Sequence, residues 1–296
     1  MTRSHRLTQG VLYLCGIALA FYIIAPLLWT LSASLRLESE IVLRPPNWIP
    51  ARPTLSNYWY IFTGQAPQEY EERGLLRSSI TQEALRIPQG LVNSLIVALA
   101  VTFINLSFGA LAAYTFARDN FWGRGSVYTF ILASRLLPAV AVAIPIYLII
   151  NELNLLDTKT ALVLLHSAFT LPFTIWVLTL FFQSMPREVE DAAMVDGCNR
   201  FGVLRHIVAP LAAPGLAAVG AFAFLFSYNE FLFALFTTQT INAKTIPVLI
   251  SETANNPDAS YTLIAVGIVL SIIAPMIFAI VFRRFITTGL AATLGK

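Results

Sequence analysis

The sequence predicts an all-α integral membrane protein. Of its 296 residues, 57% are hydrophobic and 12% are charged, and the mean hydropathy is +0.70, whereas soluble domains carry roughly a quarter charged residues. Several apolar runs exceed the roughly 18 to 20 residues that a helix needs to cross about 30 Å of hydrocarbon. The runs lack the strict alternation that is typical of lipid-facing barrel strands. A bundle of membrane-spanning helices therefore follows.

Six apolar runs are predicted to span the membrane. The first, residues 11–33, follows a basic tail, residues 1–10, and exceeds the roughly 7 to 15 residues of a signal-peptide h-region, so we interpret it as an uncleaved span. A polar segment, residues 34–90, is predicted to lie outside the membrane. The other five runs, within a core of residues 91–285, cover residues 91–117, 126–150, 160–182, 211–237 and 261–282. A short tail, residues 286–296, ends the chain.

Composition argues against several other classes of protein. The net charge of +3 is small and the basic residues are spread over flanks and loops, so no nucleic-acid surface is predicted. Cys15 and Cys198 are far apart and the three histidines are scattered, which gives no support for a disulfide framework or a metal site. A Walker A motif is also missing. We therefore expect no catalytic, metal-binding or cofactor-binding residues in this chain.

The distribution of positive charge predicts the orientation. The short loops on one side hold only Lys159 and Lys244. The tails and short loops on the other side hold Arg3, Arg6, Arg118, Arg124, Arg187, Arg200, Arg205, Arg283, Arg284 and Lys296. Because short loops rich in Lys and Arg stay in the cytoplasm, both termini are predicted to be cytoplasmic.

One cytoplasmic stretch, residues 186–210, is charged and helix-prone; we call it the charged segment. Ser184 is expected to cap a helix that begins near Pro186, Gly197 to end it, and Asn199 to cap a second helix. One face of the first helix is predicted to carry Val189, Ala192, Ala193 and Asp196. A helix of about ten residues is marginal alone, so we expect contact with another protein surface. A solvated helix on the membrane face is the alternative.

The same segment resembles the EAA loop of ATP-binding-cassette importer permeases. The spacing matches that loop throughout. Two residues differ from the usual ones: Asp191, which follows Glu190, replaces Glu, and Ala209 replaces Leu. The matching residues are Asp191, Ala192, Ala193, Asp196, Gly197, Ile207, Val208, Ala209 and Pro210.

Further motifs resemble the carbohydrate-uptake permeases related to the smaller, MalG-like subunit of the maltose importer. They are Ser134-Arg135 with Pro138 and Pro145, residues 227–235 (SYNEFLFAL), residues 245–247 (TIP), Arg284-Phe285 and Gly289-Leu290. The resemblance covers about residues 5–295.

The resemblance implies a type I importer permease fold with six transmembrane helices and a cytoplasmic coupling helix at about residues 186–198. The chain would form half of a translocation pathway for a sugar, oligosaccharide or polyol in a bacterial inner membrane, and it would not be an enzyme. Implied partners are a second, similar permease, two ATPase subunits that bind ATP and Mg²⁺, and an external substrate-binding protein. Residues 190–197 would occupy a cleft of one ATPase.

Two charges fall inside predicted spans, and an unpaired charge there is costly. Arg135 and Glu230 are therefore expected to face the bundle interior, water or a partner, either along the substrate pathway or in a structural pair or subunit contact. Because sugars offer hydroxyls and apolar ring faces, other pathway candidates are Tyr228, Asn229, Phe173 and Trp176.

Other functions stay open on the residues alone. An ion-coupled secondary transporter also suits intramembrane charges, and a scaffold or receptor would transport nothing. Within the same machine, the cargo remains open between sugars, polyols, glycerol 3-phosphate, amino acids and polyamines.

Overall fold

A computed structural model of the chain describes residues 3–41, 47–65, 67, 70, 81–256 and 259–294. The regular structure in these ranges is helical, which confirms the predicted class. About a third of the predicted external segment, residues 34–90, lies outside the described residues, as do the first two and the last two residues of the chain.

The α-helices, in chain order, are α1 (Arg3–Ser34), α2 (Glu38–Ile41), α3 (Ser56–Thr63), α4 (Thr81–Ala84), α5 (Ile87–Ile104), α6 (Ala110–Arg118), α7 (Arg124–Ala133), α8 (Ala139–Glu152), α9 (Lys159–Gln183), α10 (Glu188–Val195), α11 (Arg200–Val203), α12 (Ala209–Leu211), α13 (Ala213–Tyr228), α14 (Leu232–Thr237), α15 (Ile246–Asn255) and α16 (Tyr261–Leu294). The π-helical turns Asn105–Gly109 and Leu204–Val208 join α5 to α6 and α11 to α12, and the 3₁₀ turn Ser134–Leu136 follows α7.

Four helical stretches in the described chain are long and apolar enough to cross a membrane, and two bent pairs raise the number to six if each pair counts as one span. The four stretches are Gln9–Ser34, Ile87–Arg118, Lys159–Gln183 and Tyr261–Arg283. The bent pairs are Arg124–Leu136 with Ala139–Glu152, at 101°, and Arg200–Leu211 with Ala213–Tyr228, at 81°.

The two bent pairs differ from the apolar runs predicted at residues 126–150 and 211–237. In the first pair, Leu137 is extended (φ −71°, ψ 120°) and Pro138 precedes α8, because the α conformation is disfavoured for a residue before proline. In the second pair, the bend lies at Ala212, between α12 and α13. The run predicted to reach residue 237 is also interrupted after Tyr228, where α13 ends, and α14 is a separate short helix. The break at Leu137 and the break between α13 and α14 lie beside residues that the sequence nominated for the pathway.

One compact unit comprises Met1–Pro88 and Leu249–Ile272. The Glu38 carboxylate accepts hydrogen bonds from the backbone N–H groups of Tyr261 and Thr262, both at 3.1 Å, and so caps the start of α16. Buried Asn57 donates to the carbonyl oxygens of Ser34 (2.9 Å) and Arg36 (2.6 Å). The described part of the predicted external segment is therefore folded.

The second compact unit comprises Gln89–Val248 and Ile273–Lys296, and α9 lies at its centre. Asn105, fully buried in a π-helical turn, joins this turn to α9: its amide donates to Thr170 Oγ1 (2.8 Å), and its carbonyl accepts from Thr174 Oγ1 (2.7 Å). Four residues further on, a Cβ atom at Gly109 would lie 2.5 Å from Thr174 Cγ2, so the close approach requires glycine.

Hydrogen bonds to Asp157 join the turn before α9 to the turn after α14 in the same unit. The Asp157 carboxylate accepts hydrogen bonds from the backbone N–H groups of Gln239 and Thr240, both at 2.9 Å, and from the Thr240 hydroxyl (2.5 Å). Desolvation raises the pKa of Asp157, but these hydrogen bonds outweigh it and hold the pKa below its ordinary value.

We expect Asn105→Ala to destabilise the second unit by about 1–2 kcal/mol, because it removes both bonds to α9 and leaves buried hydroxyls with fewer partners. Thermal unfolding of the purified subunit in detergent measures this loss. Asn151→Ala, at an exposed position of α8, is the control. Equal unfolding temperatures for the two variants would show that the Asn105 bonds contribute no net stability.

Candidate functional site

The charged segment folds as two short helices joined by a glycine turn, as predicted. Gly197 has φ +92°, a conformation that favours glycine, and it follows the end of α10. The Asn199 side chain accepts a hydrogen bond from the Gly202 N–H (2.7 Å) and caps α11. The prediction that Ser184 caps the first helix is wrong. Arg187 holds the cap position, and the Ser184 hydroxyl donates to the Phe181 carbonyl at the end of α9 (2.7 Å).

The inner face of the segment packs on the neighbouring helix ends. Ala193, Val203 and Val208 are buried in one apolar cluster with Ala117 of α6 and Phe182 of α9. The alternative of a fully solvated helix is therefore wrong for this face, because its small and branched side chains complete the core of the second unit.

A buried ion pair fixes α10 to α6. The Glu190 side chain is 8% exposed, and its Oε1 atom lies 2.5 Å from Arg118 Nη2 and accepts a hydrogen bond from Arg118 Nε at 2.8 Å. Its Oε2 atom accepts from the Tyr114 hydroxyl (2.8 Å), and Arg118 also donates to the Met185 carbonyl (3.2 Å). Glu190, which the sequence nominated as a group facing a partner, is therefore buried and paired within the chain.

The outer face of the segment is open. Asp191, Ala192, Asp196 and Gly197 are exposed, so the four-residue face expected from the sequence is divided, with Ala193 inside and its neighbours outside. Sequence reasoning also missed two strongly exposed apolar side chains, Val195 (87% exposed) and Phe201 (64% exposed). In the sequence, both residues are apolar but fall outside the helical spacing of the buried residues, and this pattern could have identified them.

The second set of nominated residues lies at the break between α13 and α14. The Glu230 carboxylate accepts hydrogen bonds from the N–H groups of Phe233 (2.9 Å) and Ala234 (3.2 Å), so it caps α14. Its Oε2 atom lies 3.1 Å from Nε2 of fully buried His166, whose Nδ1 lies 2.8 Å from Ser227 Oγ. The pairing partner of Glu230 in this structure is His166, which sequence reasoning did not select, and not Arg135.

The remaining candidates separate into two groups. Arg135 is exposed and lies 5.8 Å from the centre of the Phe173 ring, whose edge-on neighbour is Trp176 at 6.1 Å. Tyr228 is buried and stacks on Phe224 (5.7 Å), while the Asn229 amide donates to the Leu225 carbonyl (2.8 Å). The structure thus brings Arg135 together with the aromatic candidates, and it gives Tyr228 a packing contact.

We expect Glu190→Ala to lower the stability of the isolated subunit by about 3 kcal/mol, because it leaves the Arg118 charge buried without its carboxylate. The matched control is Asp119→Ala, which breaks a nearby surface pair with Arg200, 76% exposed, and should cost under about 1 kcal/mol. Thermal unfolding and trypsin cleavage at Arg187 measure both effects. Similar losses in both variants would contradict a special role for the buried pair.

Comparison with known proteins assigns the family. The model of the family "Binding-protein-dependent transport system inner membrane component" matches residues 105–291. The chain is 34% identical over 267 residues to a sulfoquinovosyl glycerol transport system permease of Agrobacterium fabrum, covering 90% of this chain and 87% of that protein. It is 32% identical over 280 residues to a trehalose transport system permease of Mycobacterium tuberculosis, covering 93% of each.

Two more distant matches cover almost the whole chain. A trehalose/maltose transport system permease of Thermococcus litoralis is 29% identical over 291 residues, 98% of each chain. The crystal structure of a bacterial ABC transporter involved in alginate import contains a chain that aligns with a TM-score of 0.77 at 19% identity, over 96% of this chain and 98% of that one, which shows a shared fold. The protein belongs to the family of binding-protein-dependent transport system inner membrane components, the permease subunits of ATP-binding-cassette importers.

Proposed function

We propose that this permease imports a carbohydrate or polyol as one half of a heterodimeric translocation pathway. The observation that carries the coupling of this subunit to partner ATPases is the division of the charged segment into an inner face packed in the core of the second unit and an outer face that is open and partly apolar. An open surface of small and apolar residues on a rigidly held helix suits docking to another protein.

The permease resemblance supports the remaining parts of the machine. Two ATPase subunits would bind ATP and Mg²⁺, a second permease would complete the pathway, and an external binding protein would deliver the substrate. This chain would hydrolyse nothing itself. The arginine distribution supports cytoplasmic termini and a cytoplasmic charged segment, where the ATPases can reach it.

The names of the relatives support a carbohydrate cargo. Their substrates, by name, are sulfoquinovosyl glycerol, trehalose and maltose. Each is a glycoside with hydroxyl groups and apolar ring faces, so aromatic side chains beside polar groups suit its passage. Glycerol 3-phosphate is the alternative cargo for the same machine.

The contacts of α10 support a direct mechanical coupling. Closure of the ATPases on ATP would displace α10 through its outer face. The buried pair between Glu190 and Arg118 ties α10 to α6. The displacement of α10 would therefore be transmitted directly to the helix Ile87–Arg118, and a flexible loop would not absorb it. The spans would then rock between inward-open and outward-open states as nearly rigid bodies.

We expect Ala192→Arg to abolish co-purification of the ATPase subunits and ATP-driven uptake, because a large cation on the open face of α10 blocks close approach. Ala192 is exposed, so the subunit itself should fold. Gln183→Arg, at an exposed position outside the segment, is the control. Pull-down from membranes and uptake into proteoliposomes with ATP inside are the measurements.

Normal ATPase association and uptake by the Ala192→Arg variant would refute the docking role. An ion-coupled transporter predicts a different pattern: uptake that survives removal of the ATPases and collapses with an ionophore.

A further inference from the structure

His166 of α9 contacts the chain on both sides of the break between α13 and α14. Its Nδ1 atom lies 2.8 Å from the hydroxyl of Ser227, in the last turn of α13. Its Nε2 atom lies 3.1 Å from the carboxylate of Glu230, which caps α14 through two backbone N–H groups. One imidazole ring therefore holds the end of one helix and the start of the next.

These contacts are made inside a single chain. His166 is fully buried, Ser227 is 2% exposed, and the Glu230 side chain is 8% exposed. Because this burial comes from the chain's own helices, assembly with a second permease cannot remove it. Buried polar groups at membrane depth need partners, and in the described chain the ring has its polar contacts with Ser227 and Glu230.

The helix that carries His166 is itself anchored. Thr170, one turn after His166, donates to the His166 carbonyl oxygen (2.7 Å) and accepts from the Asn105 amide (2.8 Å). Thr174, a further turn along α9, donates to the side-chain oxygen of Asn105 (2.7 Å). The spacing of four residues places all three on one buried face of α9. A ring on a helix held in this way can set the position of the groups that it contacts.

A second contact between α14 and α9 is apolar. The ring centres of Phe169 and Phe233 are 4.6 Å apart, and both residues belong to one apolar cluster. Hydrophobic attraction is non-directional, so this contact keeps α14 beside α9 without fixing the direction in which α14 leaves the break. The contact of His166 with Glu230 adds direction, because the same carboxylate is bonded to the backbone at the start of α14.

We propose that His166 is a positioning residue for translocation, which acts through Glu230 to hold the break between α13 and α14 in the geometry that import requires. The inference rests on the proposed import function, because the break carries Asn229 and Glu230, which the sequence nominated for the pathway. His166 would act without touching the substrate. Loss of its contact with Glu230 should leave the complex assembled through apolar packing, while ATP hydrolysis drives less import.

The number of substrate molecules imported per ATP hydrolysed separates positioning from stability. A variant that only lowers the amount of folded complex reduces import and ATP hydrolysis together, so this import ratio stays constant. The measurement uses the whole importer with its binding protein in proteoliposomes. The radiolabelled probes are glucose, trehalose, maltose, maltotriose and sorbitol, and the probe with the highest ATP-dependent uptake is used for the variants.

Two substitutions separate the two contacts of His166. Asparagine places its amide near the position of Nδ1, beside Ser227, whereas glutamine places its amide near that of Nε2, beside Glu230. We expect His166→Asn to lower the import ratio about tenfold, the factor that corresponds to one lost bond to a charged group. His166→Gln should retain a higher ratio than His166→Asn does.

The matched control is Ser167→Ala. It removes a buried hydroxyl from the next position of α9, and this hydroxyl has no hydrogen-bond partner among the described residues. The import ratio of this variant should change less than about twofold, because no bond is lost.

A double variant tests whether His166 acts through Glu230. Glu230→Gln keeps the size of the side chain and removes its charge. Combined with His166→Asn, it should lower the import ratio no further than the larger of the two single effects, because both substitutions remove the same contact. Additive losses would show that His166 acts independently of Glu230 and would overturn the inference.

Three further results would overturn the inference and leave the proposed function standing. The first is an unchanged import ratio in His166→Asn, and the second is an equal loss in Ser167→Ala. The third is failure of both His166 variants to assemble with the ATPases and the second permease, which would assign His166 to folding alone. Failure of the unaltered importer to take up any probe with ATP would instead overturn the proposed function and the inference with it.

Discussion

A charged or polar group among apolar helices has no water to solvate it, and the second unit of this protein depends on how its own side chains meet that constraint. The Glu190 carboxylate is paired with Arg118 and accepts a hydrogen bond from Tyr114. The Glu230 carboxylate lies beside His166 and accepts hydrogen bonds from two backbone N–H groups. Removing one member of such a buried set costs far more than breaking a surface pair. These contacts therefore fix the positions of the short helices α10 and α14.

The same constraint explains why the two faces of the charged segment differ. On the inner face, Ala193 lies in the same buried cluster as Ala117 of α6, and the carboxylate of Glu190 is paired with Arg118. On the outer face, Ala192 and Val195 are left open. A helix that is held firmly on one side and open on the other can transmit a displacement from a bound partner to the spans. A loosely tethered helix would move without displacing them.

The sequence was sufficient for the helical class, for most helix positions and for the glycine turn at Gly197, because apolar run length and turn chemistry are local properties. It was insufficient for the partners of charges. The pair of Glu190 with Arg118 joins residues 72 positions apart, and the burial of His166 beside Glu230 depends on the packing of α9 on the following helices. Local periodicity also placed Ala193 on the wrong side of α10, because tertiary contacts decide which face of a short helix is buried.

The cap that Glu230 provides makes the break before α14 a fixed joint. Straightening the chain through Asn229 and Phe231 would strip the carboxylate of its backbone donors and of His166 at once, inside the membrane. Because these contacts would be lost together, they resist straightening of this break. A motion of the spans that keeps the contacts carries α13 and α14 together as one unit.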